Sequence, residues 1–429
     1  MKIYSIKNIS EIKLSSLFTR RALETENILK IVKPIVEDVK RNGMHAALKY
    51  AKKFDCYGAE KILVSKKEYE EAEKKLDSEA KKALLTAAKN IKKFHRKQIP
   101  VGYEIETMDG VKCSREFRAI ENVALYVPGG TAVLPSTLLM LGIPAQLAGC
   151  KRVAALSPTK NKINPAVLFA AKICGINEFY KIGGAQGISL LAYGDNKIKK
   201  ADKIFGPGNQ FVTAAKTLIS IDPQGSAIDM PAGPSEVLII ANGKANPSYV
   251  ASDLLSQAEH GKDSQVILLT TSRKLASDVQ NEIKRQKKYL SREEYINGSL
   301  KNSFILIVDS IDEAIKLSNQ YAPEHLILNI ERAEKIKNKI TNAGSVFLGK
   351  YSAESIGDYA SGTNHSLPTY GYAKSFGGIS VESFMKTITF QKVSRKGLKE
   401  IAPTVLKLAS LEKLDAHANS IKVRVENEN

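Results

Sequence analysis

Cysteine, histidine and unbroken apolar runs are all scarce in this chain. The 4 cysteines, Cys56, Cys113, Cys150 and Cys174, are widely spaced and form no C-x-x-C. That spacing argues against a disulfide scaffold or a thiolate metal centre and fits a reducing, cytoplasmic setting. Residues 1–18 scatter lysines among polar groups and lack the continuous apolar core of a signal peptide. The most apolar stretch, Ala132 to Ala148, is broken by Pro135, Gly142 and Pro144, too interrupted to span a bilayer, so no membrane partner is expected. Acidic residues are outnumbered: 64 lysines and arginines against 45 aspartates and glutamates give a net charge of +19. The excess is mostly lysine and runs along the whole chain. No platform of interleaved aromatics and arginines exists on which bases would stack. Solvated lysine-rich helical faces account for the charge, and no nucleic-acid partner is expected.

A length of 429 residues allows two or more domains, and 43% hydrophobic with 25% charged content is ordinary for a globular enzyme. Residues 1–22 read as a short arm. A helical period runs over 25–53, a strand is expected over 59–65, and one long helix over 66–97. His45 and His95 fall in lysine-rich helical surroundings and read as surface residues. From about Ile120 the pattern changes. Strands at Val123–Val127, Val153–Leu156, Phe179–Ile182 and Lys203–Phe205 each lead into a helix. A second such block has strands near Val237–Ile240, Val266–Leu269, Phe304–Val308, Leu326–Leu328 and Val346–Leu348. Strands alternating with helices imply parallel sheets covered on both faces. Beyond Val381 the pattern reads as a helical tail, preceded by a polar linker over 391–396.

Three of the first block's strands run into glycine-rich turns: Pro128-Gly129-Gly130-Thr131, Gly183-Gly184-Ala185-Gln186-Gly187 and Gly206-Pro207-Gly208-Asn209. Such turns sit at the carboxyl ends of strands, where backbone N–H groups and a following helix N-terminus attract phosphate. None is a G-x-G-x-x-G or a P-loop, so the turns favour a nucleotide or phosphate without naming it.

Two titratable side chains stand together in Tyr321-Ala322-Pro323-Glu324-His325-Leu326, in a chain with only 6 histidines. Pro323 fixes its own φ and biases Ala322 towards extended geometry, so the pair is expected at a turn or element edge. Histidine can take and return a proton near neutrality, and a neighbouring carboxylate can orient it or activate water. Alone, the stretch reads more simply as a surface pair before a buried strand. Elsewhere, Gln257 and His260 lie three apart at the end of a helix starting near Pro247, so they share a face. Asp358 and His417 are further donors. Imidazole, carboxylate and amide oxygen suit a divalent ion such as zinc, although spacing cannot show that these residues converge.

Taken together, these stretches resemble the histidinol dehydrogenases, the last enzymes of histidine biosynthesis. The matching runs, in order, are Tyr126-Val127-Pro128-Gly129-Gly130-Thr131, Ile182-Gly183-Gly184-Ala185-Gln186, Gly206-Pro207-Gly208-Asn209 and Ile228-Asp229-Met230-Pro231-Ala232-Gly233-Pro234-Ser235-Glu236-Val237. Asp253 through His260, Ala322 through Leu326, Ala343 through Gly349, Gly357-Asp358-Tyr359, Asn364-His365 and Leu414 through His417 complete the set. The resemblance spans roughly Lys30 to His417. It implies an α/β fold of two Rossmann-like parallel-sheet domains with helical N- and C-terminal extensions. Residues 120–235 would bind NAD; 23–119 with 236–380 would carry most of the zinc and catalytic residues. The tail, 381–429, would be exchanged with the partner subunit of a homodimer.

The same resemblance implies an NAD-dependent oxidation of L-histidinol to L-histidine in two hydride transfers through a bound aldehyde, with one zinc per subunit. Glu324 and His325 would be the catalytic acid/base pair. Tyr126, Gln186 and Asn209 would contact NAD. Gln257, His260, Asp358 and His417 would bind zinc. Ser235, Gln257, His260, His325, Asp358, Glu412 and His417 would contact substrate, with His365 lining the same pocket; Glu412 and His417 would act in trans. Departures from the family pattern include Val133, Thr363 and Gly377-Gly378, in regions that affect loop packing or substrate fit. In the mechanism that fits these residues, His325 removes the alcohol proton and Glu324 activates water for the second oxidation. A sulfopropanediol-type dehydrogenase with the same machinery is the nearest alternative; a zinc hydrolase that needs no NAD is the next.

Overall fold

The structure is a computed structural model of the chain, and it describes residues 1–20, 25–55, 61–129, 134–230 and 233–426. Strand β1 (Lys2–Ser5) opens the chain and a helix, Glu11–Phe18, follows it. The next helix, Thr25–Phe54, bends at Gly43, which takes a φ of 49°. The single helix expected over 66–97 is two, Lys66–Lys75 and Ser78–His95. Asp77 makes the break: its carboxylate accepts the Ala80 N–H at 2.6 Å and caps the second helix. Within the stretch expected as a strand over 59–65, Leu63 forms an isolated antiparallel bridge with Tyr180, while Ala59 and Glu60 lie outside the described residues.

His95 is buried rather than exposed. The amphipathic helix turns it inward, where its Nδ1 meets the Ile91 carbonyl at 2.9 Å and its Nε2 lies 3.3 Å from the Asn364 amide. An unanticipated hairpin comes next, β2 (Tyr103–Met108) and β3 (Val111–Ala119).

The first parallel sheet contains β4 (Asn122–Tyr126), β5 (Arg152–Leu156), β6 (Glu178–Tyr180), β7 (Lys203–Phe205) and β8 (Ala227–Ile228). Its order is β6-β5-β4-β7-β8. Helices cover both faces, which is why Val123, Ala124 and Leu125 are all fully buried and read as an unbroken apolar run. The second sheet contains β9 (Glu236–Ala241), β10 (Gln265–Thr270), β11 (Phe304–Ile307), β12 (His325–Asn329) and β13 (Ser345–Leu348). Its order is β1-β11-β10-β9-β12-β13, all parallel. Without β1, this is the winding of the first sheet repeated: the first strand is central, two step to one side, two to the other. The residues read as an arm thus supply an edge strand, and Phe18 packs edge-on against Phe304 and Tyr321, at 5.3 and 5.8 Å.

After the second sheet, the tail is not helical from Val381. A short 3-10 turn, Glu382–Phe384, leads into β14 (Met385–Val393), antiparallel to β3 from Met385–Ala119 to Val393–Val111; of the polar linker expected over 391–396, the first three residues lie in this strand, and Ser394 caps the helix that begins at Arg395. The helices Arg395–Leu411 and Asp415–Glu426 follow. The fold is therefore α/β, two parallel-sheet units with helices at both ends. Among the described residues, no helix is long and apolar enough to cross a membrane.

Candidate active site

The helix Ile311–Tyr321 ends at Ala322, which takes a left-handed φ of 55° instead of the extended geometry expected before proline. The Ala322 N–H closes the last turn on the Ser318 carbonyl at 2.7 Å. An alanine in this region costs about 1–3 kcal/mol, so its surroundings must hold it there. Pro323 then redirects the chain and β12 begins at His325. The pairing of β12 with β9 sets His325 beside Val237. Glu324 and His325 are both buried and both held by the backbone of Glu236. The Glu236 N–H donates to Glu324 Oε2 at 2.8 Å, and the Glu236 carbonyl meets His325 Nδ1 at 3.1 Å. A carbonyl can only accept, so the neutral ring carries its proton on Nδ1 and presents Nε2 as a base.

Around that Nε2 lie Asp358, with Oδ1 at 3.5 Å, and Glu354. Gln257 is fully buried, with its amide 3.4 Å from the Glu324 carboxylate. Turned so that its nitrogen faces Glu354, its oxygen accepts the Glu236 N–H at 3.1 Å. Burial opposes a charged imidazole, but Glu354, Glu324 and Asp358 prevail and raise His325 well above its ordinary range. Burial pushes Glu354 well up, reinforced by Asp358 and Glu324. Burial also opposes Asp358, yet His325, His365 and His260 hold it below the usual carboxylate range.

This donor set fits a divalent cation. Donor atoms of His325, Glu354 and Asp358 all lie within 4.8 Å of one another. His325 Nε2 and Glu354 Oε2 are buried without a hydrogen-bond partner among the described residues, and such groups are costly unless something satisfies them. Of the four residues expected to bind zinc, Gln257 and Asp358 stand at this cluster. His260, one turn beyond Gln257, is exposed and near enough for its charge to act on Asp358. His417 and Glu412 are exposed on the tail, outside the cluster. Ser235 precedes Glu236 and accepts the Gln265 N–H at 3.2 Å. His365 has both ring nitrogens engaged, at 2.7 Å from the Asp358 carbonyl and 3.1 Å from Thr137 Oγ1, so it braces Asp358 against the helix Pro135–Ala148.

Glu354 is the member of the cluster that no sequence motif singles out. Its signal was present: it stands four residues before Asp358, the spacing that puts two side chains on one helical face. Cys150 and Cys174 are pushed up to about 12 by burial, which keeps both thiols protonated.

At the first sheet, β4 and β7 are neighbours whose following helices leave in opposite directions, opening a crevice at their carboxyl ends. Tyr126 ends β4. Gly206 follows β7 at a φ of 114°, and a Cβ there would collide with the Tyr126 carbonyl. The buried pair Lys216–Asp229 pins this turn, Lys216 reaching the Gly206 carbonyl at 3.0 Å and Asp229 taking the Gly206 N–H at 2.8 Å. Tyr126 receives the Gly184 N–H at 3.5 Å, and Gln186 donates to Asp55 at 3.0 Å. Asn209 caps the helix Gln210–Ser220 through the Phe211 and Val212 N–H groups, both at 3.1 Å. Thr131 and Val133, with the rest of 130–133, lie outside the described residues.

A family model described as histidinol dehydrogenase matches residues 18–425. The chain belongs to the histidinol dehydrogenase family. It is similar to the histidinol dehydrogenase of Bacteroides thetaiotaomicron, 48% identical over 422 residues and covering 98% of each chain. It is also similar to that of Campylobacter jejuni, 48% identical over 427 residues and covering 99% of each. The crystal structure of histidinol dehydrogenase from Elizabethkingia anophelis superposes with a TM-score of 0.95 at 49% identity, over 100% of this chain and 99% of that one. The family is one of oxidoreductases of histidine biosynthesis.

Asp253, one turn before Gln257, is nearly buried, and burial pushes its carboxyl up to about 7. A carboxyl raised in the folded state costs no stability below its unfolded pKa and its full cost above its folded one. Asp253→Asn should therefore stabilise the metal-free protein by on the order of 4 kcal/mol at pH 8, with the gain vanishing towards about pH 4. Denaturant melts across that range measure it; a gain independent of pH would contradict the assignment.

Proposed function

We propose that this chain is an NAD-dependent, zinc-containing histidinol dehydrogenase, oxidising L-histidinol to L-histidine in two successive steps through L-histidinaldehyde. One juxtaposition supports this above all: Glu324 and His325, both anchored on the Glu236 backbone, face Gln257 and Asp358 across a buried acidic cluster. Gln257, His260 and Asp358 of one subunit, with His417 of the other, would hold one zinc per subunit. When bound, zinc holds the substrate and polarises its oxygen, and NAD accepts the hydrides.

The rest is the work of side chains. His325 takes the alcohol proton at Nε2, while the Glu236 carbonyl keeps the ring oriented through Nδ1. Surrounding carboxylates favour the imidazolium that forms. Glu324 spends Oε2 on the Glu236 N–H, which leaves Oε1 to draw a proton from water in the second step. Two oxidations need a base that resets or two bases, and the adjacent pair provides them. The buried carboxyl groups of Glu324, Glu354 and Asp358 suit a substrate carrying an amine and an imidazole. Ser235 and Glu412 add acceptors for it, and His365 acts by bracing Asp358. Tyr126, Gln186 and Asn209, at the crevice of the first sheet, contact NAD.

The working unit in this reading is a cytoplasmic homodimer with exchanged tails. Leu408, Leu411 and Leu414 are exposed to 54%, 67% and 41%, an apolar surface that a partner would cover. Glu412 and His417 lie within and just beyond it and would reach the partner's cluster.

Glu324→Gln should leave alcohol oxidation within about threefold and slow aldehyde oxidation by about 10²–10⁴-fold. NADH per L-histidinol then falls from about two to about one as aldehyde accumulates; equal slowing of both steps would contradict the division of labour. Refolding a mixture of inactive His325→Asn and inactive His417→Ala subunits should restore roughly a quarter of wild-type activity, because half of the dimers then carry one intact composite site. No recovery despite demonstrated heterodimers would mean that the tail acts within its own chain.

A further inference from the structure

We infer that Arg20, on the N-terminal arm, is a positioning residue for the Glu324–His325 pair. The inference rests on the function proposed above. Arg20 comes just after the helix Glu11–Phe18, which Phe18 seats against Tyr321. Its guanidinium stacks on the Tyr321 ring, 3.8 Å from the centroid. From there it reaches two places at once. Nη2 donates to Glu236 Oε2 at 2.8 Å, and Nε pairs with Glu236 Oε1. The same Nη2 donates to the carbonyls of Tyr321 at 2.9 Å and Ala322 at 3.3 Å.

Those two places are the supports of the catalytic pair. Glu236 holds Glu324 by its N–H and His325 by its carbonyl. Ala322 is the left-handed residue from which Pro323 and Glu324 emerge. Arg20 therefore fixes the strand beside the pair and the turn behind it with one planar group. The Tyr370 N–H completes the clamp, donating to Glu236 Oε1 at 3.1 Å.

The chemistry argues that geometry, rather than stability, is what this pair contributes. The two side chains are only 14% and 3% exposed. Desolvating such a pair offsets most of its attraction, and apolar replacements of both partners are often neutral or stabilising. Only a guanidinium can bond a carboxylate side-on and still reach two carbonyls; a lysine ammonium lacks the fork. Misplacing reacting groups by about 1 Å costs about 10²-fold in rate.

The test uses the full-length, zinc-loaded enzyme and compares Arg20→Met/Glu236→Gln, Arg20→Lys and His325→Asn. The double variant leaves no buried unpaired charge, so it keeps its fold, which a thermal melt checks. We expect its kcat per folded site to fall about 10²-fold with KM for NAD and L-histidinol within about threefold, and the pH profile of kcat to move. Arg20→Lys, which keeps the charge and loses the fork, should fall at least about tenfold. A kcat within about threefold of wild type and an unmoved pH profile in both Arg20 variants would overturn the inference and leave the proposed function standing. Retained turnover in His325→Asn would instead overturn the reading of the catalytic pair, and this inference with it.

Discussion

Everything at the site depends on how β12 lies against β9. The two strands pair in parallel with His325 beside Val237. That register alone brings the N–H and carbonyl of Glu236 between the side chains of Glu324 and His325. It is set by packing: Val237, Leu238, Ile239 and Ile240 of β9 and Leu326, Ile327 and Leu328 of β12 are buried to within 1%. Slipping one residue would exchange the two faces of the sheet and take the backbone of Glu236 away from the pair. The hydrophobic core thus acts directly on the proposed chemistry, by deciding which main-chain groups meet the side chains of Glu324 and His325.

The two α/β units share one winding and use opposite ends of it. The first keeps its glycine-rich turns at the carboxyl ends of β4, β6 and β7, the usual ligand end of such sheets. The second places the candidate site at the amino ends, where β9 starts with Glu236 and β12 with His325. Short helices and loops that bring in Gln257, Glu354 and Asp358 close around that end. The result is a buried cluster of carboxyl groups and an imidazole, costly in isolation and, in the proposed function, matched to a cation and a cationic substrate. The N-terminal arm adds a sheet edge through β1 and delivers Arg20 to the back of the same pocket.

Much of this was legible in the residues. The strands of both sheets fall where continuous apolar runs stand between turns, because a strand buried on both faces must be apolar throughout. Glu324-His325 and the Gln257-x-x-His260 spacing stood out as local patterns. What escaped were features made by distant partners. Strands β2, β3 and β14 have no continuous buried apolar run, and β14 pairs with β3 across most of the chain, so no local period marks them. His95 read as a surface residue because lysines surround it in sequence, while only the packed helix shows which face it occupies. Ala322 takes the left-handed turn against the local bias set by Pro323, since the end of its helix and the guanidinium of Arg20 outweigh that bias. Glu354 carries an i, i+4 signal, but without the burial that gives it meaning it looks like any surface carboxylate.

The central claim is that a buried acidic cluster, loaded with a divalent ion, carries out a four-electron oxidation. NADH formed per L-histidinol consumed, by purified zinc-loaded protein and by the same protein after chelation, tests it most directly. The account predicts about two NADH per substrate, lost on chelation and restored by zinc. Folded, zinc-loaded protein that forms no NADH from L-histidinol, or turnover that survives complete metal removal, would contradict it.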